Sequence, residues 1–218
     1  SRAARKPACL NFEEAASAPL AFLTAMYGLE RLAKLKKGDK VLIHAAAGGV
    51  GQAAVEIARR IGADIYATAS EPKWDFLRSL GVEHVYNSRT LDFSDQILQD
   101  TKGRGVDVVL NSLNGEFIPK SLACLATNGR FVEIGKIKIW TGEQMADARP
   151  DVAYFAFDLG IEENNSPGLL KDLLVELTAR FEAGALSPLP LESFAMTDAI
   201  AAFRLMSVAK HRGKVVIC

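Results

Sequence analysis

The sequence predicts an α/β fold built on a doubly wound parallel sheet of about six strands. Three observations carry this. Short apolar runs recur along the chain with helical patterns between them, a glycine-rich turn joins the first run to a helix, and the 218 residues are 49% hydrophobic. Runs of this kind, spaced by helices, imply βαβ units with right-handed crossovers and a sheet covered on both faces.

The elements follow in order. Phe12, Ala15, Ala16, Leu20, Leu23, Met26, Tyr27 and Leu32 recur at helical spacing, so residues 12–35 read as helix with an interruption near Pro19. After the polar turn Lys36-Lys37-Gly38-Asp39, the run Val41-Leu42-Ile43-His44 reads as a strand buried on both faces. A helix is predicted over about 50–61 and a strand at Ile65-Tyr66-Ala67-Thr68. A short helix from Pro72 to Leu80 then ends at Gly81. His84-Val85-Tyr86 is a small strand, 92–101 a helix, Val106-Asp107-Val108-Val109-Leu110 a strand and 116–126 a helix. Arg130-Phe131-Val132-Glu133-Ile134 is a strand closed by Gly135, and Val152 to Phe157 is a sixth.

The C-terminal part is less regular. An amphipathic helix is predicted over 169–183, a second helix N-capped by Thr197 runs to about 208, and Lys214-Val215-Val216-Ile217 is a strand. These last pieces need not join the main sheet. The expected division is a helical connection over 1–35, a nucleotide-binding domain over 36–184 and a returning helix and strand over 185–218.

Lys plus Arg and Asp plus Glu both number 26, so no global field favours nucleic acid or an anionic membrane. Cys9, Cys124 and Cys218 are far apart, and His44, His84 and His211 are scattered. That spacing argues against a disulfide framework or a metal site and for a reducing, cytoplasmic setting. The sequence shows neither a transmembrane run nor a signal peptide, and its start, Ser1 to Pro7, reads as a cut from a longer polypeptide.

The chemistry begins at His44-Ala45-Ala46-Ala47-Gly48-Gly49-Val50-Gly51. Between a strand and a helix, Gly48 would let backbone approach a diphosphate and Gly51 would let the helix lie close on the strand. The helix N-terminus would add amides and partial positive charge. Ala46 replaces the first glycine of the usual fingerprint, and a tight turn without ligand is the plain alternative. In the dinucleotide reading, Ala46, Gly49 and Val50 complete a Rossmann-type cradle with Gly48 and Gly51. Ser70 and Lys73 after the second strand, and Arg89 after the third, suit a 2′-phosphate and hence NADPH. Glu71 argues for the NAD alternative, and Ser70 could instead be a helix cap and the two cations solvated charges.

Val41–Ala58, Ser88-Arg89-Thr90-Leu91-Asp92-Phe93, the run Gly103 to Leu113 with Asn111-Ser112-Leu113, Gly129 to Lys136, Phe157-Asp158-Leu159 and Lys210 to Val216 together resemble enoyl reductase domains of modular polyketide synthases. The fatty acid synthase reductase is a more distant likeness. The Asn-Ser-Leu and Gly-Lys pieces separate the chain from free-standing quinone oxidoreductases. The resemblance implies a zinc-free reductase that takes hydride from NADPH to the β-carbon of an α,β-unsaturated thioester on an acyl carrier protein, among neighbouring synthase domains. It implies Lys136 and Asp158 as catalytic. Asn111 and Ser112, at the C-terminal end of a sheet strand, are placed to contact the cofactor, with Gly135 after the next strand, and an ordinary turn is their alternative. The resemblance also implies that the preceding GroES-like substrate half is missing apart from remnants, and that Lys138 departs from an acidic residue of some relatives. Tyr27, in the helix before the nucleotide fold, is no replacement for a tyrosine of the missing half. A surface role for Lys136 and a capping role for Asp158 remain the bland alternatives. The competing functions are a stand-alone quinone or enoyl-CoA reductase and a non-catalytic NADPH-binding module. Trp74 is expected to pack on the sheet, and Phe203, Leu205 and Met206 to be core or docking surface.

Overall fold

The computed structural model describes residues 3–208 and 212–218, so the readings placed on Ser1, Arg2, Lys210 and His211 lie outside it. Strands β1 (Lys40–Ile43), β2 (Asp64–Ala69), β3 (His84–Asn87), β4 (Val106–Asn111), β5 (Leu125–Glu133) and β6 (Ala153–Ala156) form one sheet in the order β3-β2-β1-β4-β5-β6. Every neighbouring pair is parallel. The predicted six-stranded doubly wound sheet is therefore the observed one.

Side chains alternate across the sheet as the pleat requires. Val41 and Ile43 of β1 face one core, together with Ala67, Val108 and Val132. Helices α1 (Phe12–Met26), α2 (Gly49–Ile61), α3 (Trp74–Ser79) and α8 (Leu169–Glu182) cover that face through Phe22, Ile57, Leu77 and Phe181. Leu42, Val109 and Phe131 face the other core. There α4 (Phe93–Asp100), α5 (Phe117–Ala123) and α6 (Gly142–Ala148) supply Phe93, Ile97, Ile118 and Met145.

Several expectations are corrected. Pro19 lies inside α1 without breaking it. An internal proline costs about 3 kcal/mol, but the same helix buries Phe22 and Met26 completely or nearly so, each contributing about 1.5–3 kcal/mol. The chain then continues as a π-helical turn, Tyr27–Leu32. α5 stops at Ala123 rather than 126, because β5 begins at Leu125 and its register shifts beside Val106 and Val108. Thr197 is no N-cap: it sits within a 3-10 turn, Met196–Asp198, and Asp198 is the residue before α9 (Ala199–Ser207). The sequence reading also missed α6, α7 (Leu159–Asn165) and β7 (Leu191–Phe194). β7 pairs in parallel with β8 (Lys214–Ile217) in a separate two-stranded sheet, as the C-terminal pattern allowed. No helix among the described residues is long and apolar enough to cross a membrane.

Candidate active site

β1 has β2 on one side and β4 on the other, with crossovers leaving in both directions. A crevice opens beyond the carboxyl ends of strands at such a switch point. The turn between β1 and α2 lines it. Ala45 takes a left-handed backbone (φ 50), Ala46 and Ala47 are buried, and Gly48 is the N-cap residue of α2. A Cβ at Gly51 would stand 2.5 Å from Ala45 O and from Ala46 Cα, so only glycine allows α2 to start this close to the turn.

A directed hydrogen-bond chain under the turn fixes it. Ser121 Oγ donates to Phe117 O at 2.7 Å, leaving its oxygen to accept from His44 Nε2 at 2.8 Å. His44 Nδ1 then accepts from Thr68 Oγ1 at 2.9 Å, and Thr68 Oγ1 accepts the Ala45 N–H at 3.4 Å. Full burial lowers the His44 pKa to about 3, so the ring is neutral and held in one tautomer. His44 is thus packing and support for the turn, not a metal ligand.

From Gly48 the crevice, about 260 Å³, reaches Ser70, Lys73 and Arg89. Those three also line a larger cavity of about 580 Å³ with Glu71, Asn87 and Arg212. Glu71, the residue that favoured NAD, accepts from Asn87 Nδ2 at 3.3 Å. Burial and then the Arg212 charge lower the Lys73 pKa. Arg212 also lies over the Phe76 ring at 5.8 Å. Sequence reasoning missed Arg212 as a site residue, since it comes from beyond α9, far along the chain from Ser70. Its signal was a cation next to the Gly213-Lys214 step. Trp74 packs as expected, with Nε1 donating to Ala69 O at 3.0 Å.

On the other side of the α2 N-terminus is a cavity of about 270 Å³, lined by Val50 with Leu20, Thr24, Phe157, Lys136 and Asp158. Lys136 Nζ donates to Phe157 O and pairs with Asp158 Oδ2, each at 2.9 Å. Asp158 also caps α7, its Oδ1 accepting from Gly160 N at 2.8 Å and Ile161 N at 3.3 Å. The lysine first, then these amides, hold the Asp158 carboxyl below the usual range. The ammonium and the carboxylate are 56% and 42% exposed, so a ligand can reach them. The capping reading and the ion-pair reading of Asp158 therefore describe one geometry.

Asn111, Ser112 and Gly135 line none of these cavities. Asn111 is fully buried, with Nδ2 donating to Leu113 O at 2.8 Å and to Glu133 Oε2 at 2.6 Å. Glu133, also buried, accepts from Gly135 N at 2.6 Å through its other oxygen. Burial raises its pKa against those hydrogen bonds. Asn111 thus holds the exits of β4 and β5 together rather than presenting its own amide. Sequence reasoning gave Glu133 no role beyond strand. Tyr27 donates to Glu162 Oε2 at 2.9 Å, and burial above all raises its pKa to about 12.

Residues 80–217 match the family described as zinc-binding dehydrogenase. The described residues do not fit a zinc: no group of three or more His, Cys, Asp or Glu could hold one. The chain is 46% identical to a phenolphthiocerol synthesis polyketide synthase of Mycobacterium marinum, over 98% of this chain and 10% of that protein. The CurK enoyl reductase structure is 58% identical with a TM-score of 0.93, covering 99% of this chain and 65% of that one. The nucleotide-binding subdomain of the PpsC enoyl reductase of Mycobacterium tuberculosis is 42% identical with a TM-score of 0.70, covering 78% of this chain and 97% of that one. The chain thus spans about a tenth of the synthase and two thirds of the solved reductase. A six-stranded parallel sheet, a glycine turn at its switch point and this likeness over nearly every residue place the chain in the enoyl reductase family of polyketide synthases, within the wider zinc-binding dehydrogenases.

Proposed function

We propose that the chain is the NADPH-binding part of an enoyl reductase that reduces an α,β-unsaturated acyl thioester carried on an acyl carrier protein. The observation that carries this is the Lys136–Asp158 pair, which shares its cavity with Val50 of the glycine turn. The turn residues Gly48 to Gly51 would hold the diphosphate, and Ser70, Lys73, Arg89 and Arg212 the 2′-phosphate. Glu71, engaged by Asn87, does not oppose that phosphate from an open position. When bound, NADPH supplies a hydride to the substrate β-carbon. Lys136 donates a proton from Nζ toward the α-carbon, and solvent restores it. Asp158 keeps the ammonium turned into the cavity. The substrate-binding half, the carrier protein and the neighbouring synthase domains complete the working enzyme, with residues 36–184 as the nucleotide domain between connecting segments 1–35 and 185–218. The three free thiols suit a reducing cytoplasm.

Titration of this chain with NADPH and NADH tests the cofactor. NADPH is expected to bind more tightly, and Lys73→Ala or Arg212→Ala to erase the preference. Tighter binding of NADH, or an intact preference in both variants, reverses the assignment.

A further inference from the structure

We infer that Glu133, at the end of β5, is a positioning residue that sets Lys136 in place for proton delivery, acting from outside the cavity that the lysine lines. The inference rests on the proposal that Lys136 supplies the proton. Hydrogen bonds tie the two residues into a ring. Glu133 Oε1 accepts from the Gly135 N–H at 2.6 Å, which fixes the backbone one residue before the lysine. The Glu133 carbonyl accepts from Phe157 N at 3.3 Å, and Phe157 O accepts from Lys136 Nζ at 2.9 Å. Both ends of the lysine, its backbone and its ammonium, are thereby referred to one glutamate. The fit is close: a Cβ at Gly135 would stand 2.7 Å from Glu133 Oε1 and 3.2 Å from Ile139 Cγ2.

The chemistry of that position calls for a carboxylate rather than a filler. Glu133 is 1% exposed, and its second oxygen accepts from Asn111 Nδ2 at 2.6 Å. Two donors therefore converge on one side chain, one from the end of β4 and one from the turn after β5, and an ionised carboxyl accepts through both oxygens. Burial pushes the Glu133 carboxyl up, while the Asn111 and Gly135 hydrogen bonds and then the Lys136 charge pull it back. A charge buried this deep is costly, and apolar side chains of the same shape often hold strand ends together as well. A carboxylate kept there points to a task that apolar packing cannot do. It grips the Gly135 amide by a directed, charge-assisted bond, and so sets the angle at which Lys136 leaves the sheet. Asp158 holds the ammonium from the cavity side, and Glu133 holds the root of the side chain from the core.

The test is a double-mutant cycle in a reductase that carries this chain and spans the full length of the solved relatives. Glu133→Gln, Lys136→Met and the double variant are compared for crotonyl-thioester turnover, with NADPH affinity and folding measured beside it. Glutamine keeps the shape but cannot accept from both Gly135 and Asn111. Glu133→Gln is expected to lower kcat about tenfold through a misplaced lysine, with KM and NADPH affinity nearly unchanged. The double variant is expected to be no slower than Lys136→Met alone, since a residue that acts through Lys136 then has nothing left to position. A merely structural role would not give that result, and losses that multiply in the double variant overturn the inference. So does undiminished kcat in Glu133→Gln, or an equal loss of NADPH affinity, which would place Glu133 at the cofactor. Should Glu133→Gln not fold, Gly135→Ala pushes the carboxylate off the amide and must give the same fall in kcat and the same lack of additivity; full turnover there also overturns it. Normal turnover in Lys136→Met removes the proton-delivery proposal itself, a result distinct from all of these.

Discussion

Lys136 and Asp158 lie 22 residues apart in the chain, yet Nζ and Oδ2 meet at 2.9 Å because parallel β5 and β6 end side by side. If the pair serves the reduction, Lys136→Met in a reductase spanning the full length of the solved relatives is expected to slow crotonyl-thioester turnover by about 10²-fold, a usual size for a lost general acid. NADPH affinity should hardly change; normal turnover in both Lys136→Met and Asp158→Asn would remove their catalytic role. Gly51 gives a second prediction. Its substitution by alanine forces a Cβ to within 2.5 Å of Ala45 O, a backbone atom, and is expected to cost about 1–3 kcal/mol by overpacking and to abolish dinucleotide binding. Denaturant titration and calorimetry of Gly51→Ala check both. Much of this site was legible in sequence, since its turn residues sit next to one another. Arg212 and the Glu133–Asn111 contact were not, because each joins positions that only the folded sheet brings together.

At the scale of elements, β1 to β6 and most helices were legible because strands buried on both faces read as unbroken apolar runs. The misses have physical causes. α6 buries only Met145 and α7 only Glu163, so neither shows an apolar stripe. The Thr141 and Gln144 capping box of α6 was nevertheless a readable start signal. The helix break expected at Pro19 failed because local propensity yielded to burial along α1. The junction of β1 and α2 also carries a pH prediction. His44 titrates at about 3 when folded against 6.5 ordinarily. Its pKa is lowered by folding, so below the unfolded value the unfolded chain binds the extra proton and stability falls with decreasing pH. Between pH of about 7 and about 5 this linkage costs about 2 kcal/mol. Urea midpoints across that range should fall for the wild type and fall less for His44→Gln; identical slopes would show that His44 is not the group responsible.

For the whole molecule, the exposed side chains of Met196, Ile200, Phe203 and Met206 form an apolar face around α9. Solvent contact at such a face is costly, and the solved reductase relative has chain beyond the stretch matched here. An environment-sensitive hydrophobic dye is expected to bind this chain more than a reductase of the relative's full length; equal binding would show that the face stays open. The strand order has a consequence for how the chain is made. β1 ends at Ile43, but its second neighbour, β4, starts only at Val106. During synthesis from the N-terminus, β1, β2 and β3 can assemble first, leaving one flank of the hydrophobic β1 unpaired until β4 leaves the ribosome. Such non-local pairing folds slowly and exposes a sticky edge while it waits, so a nascent chain halted before β4 should be the species most prone to aggregate and most in need of a chaperone.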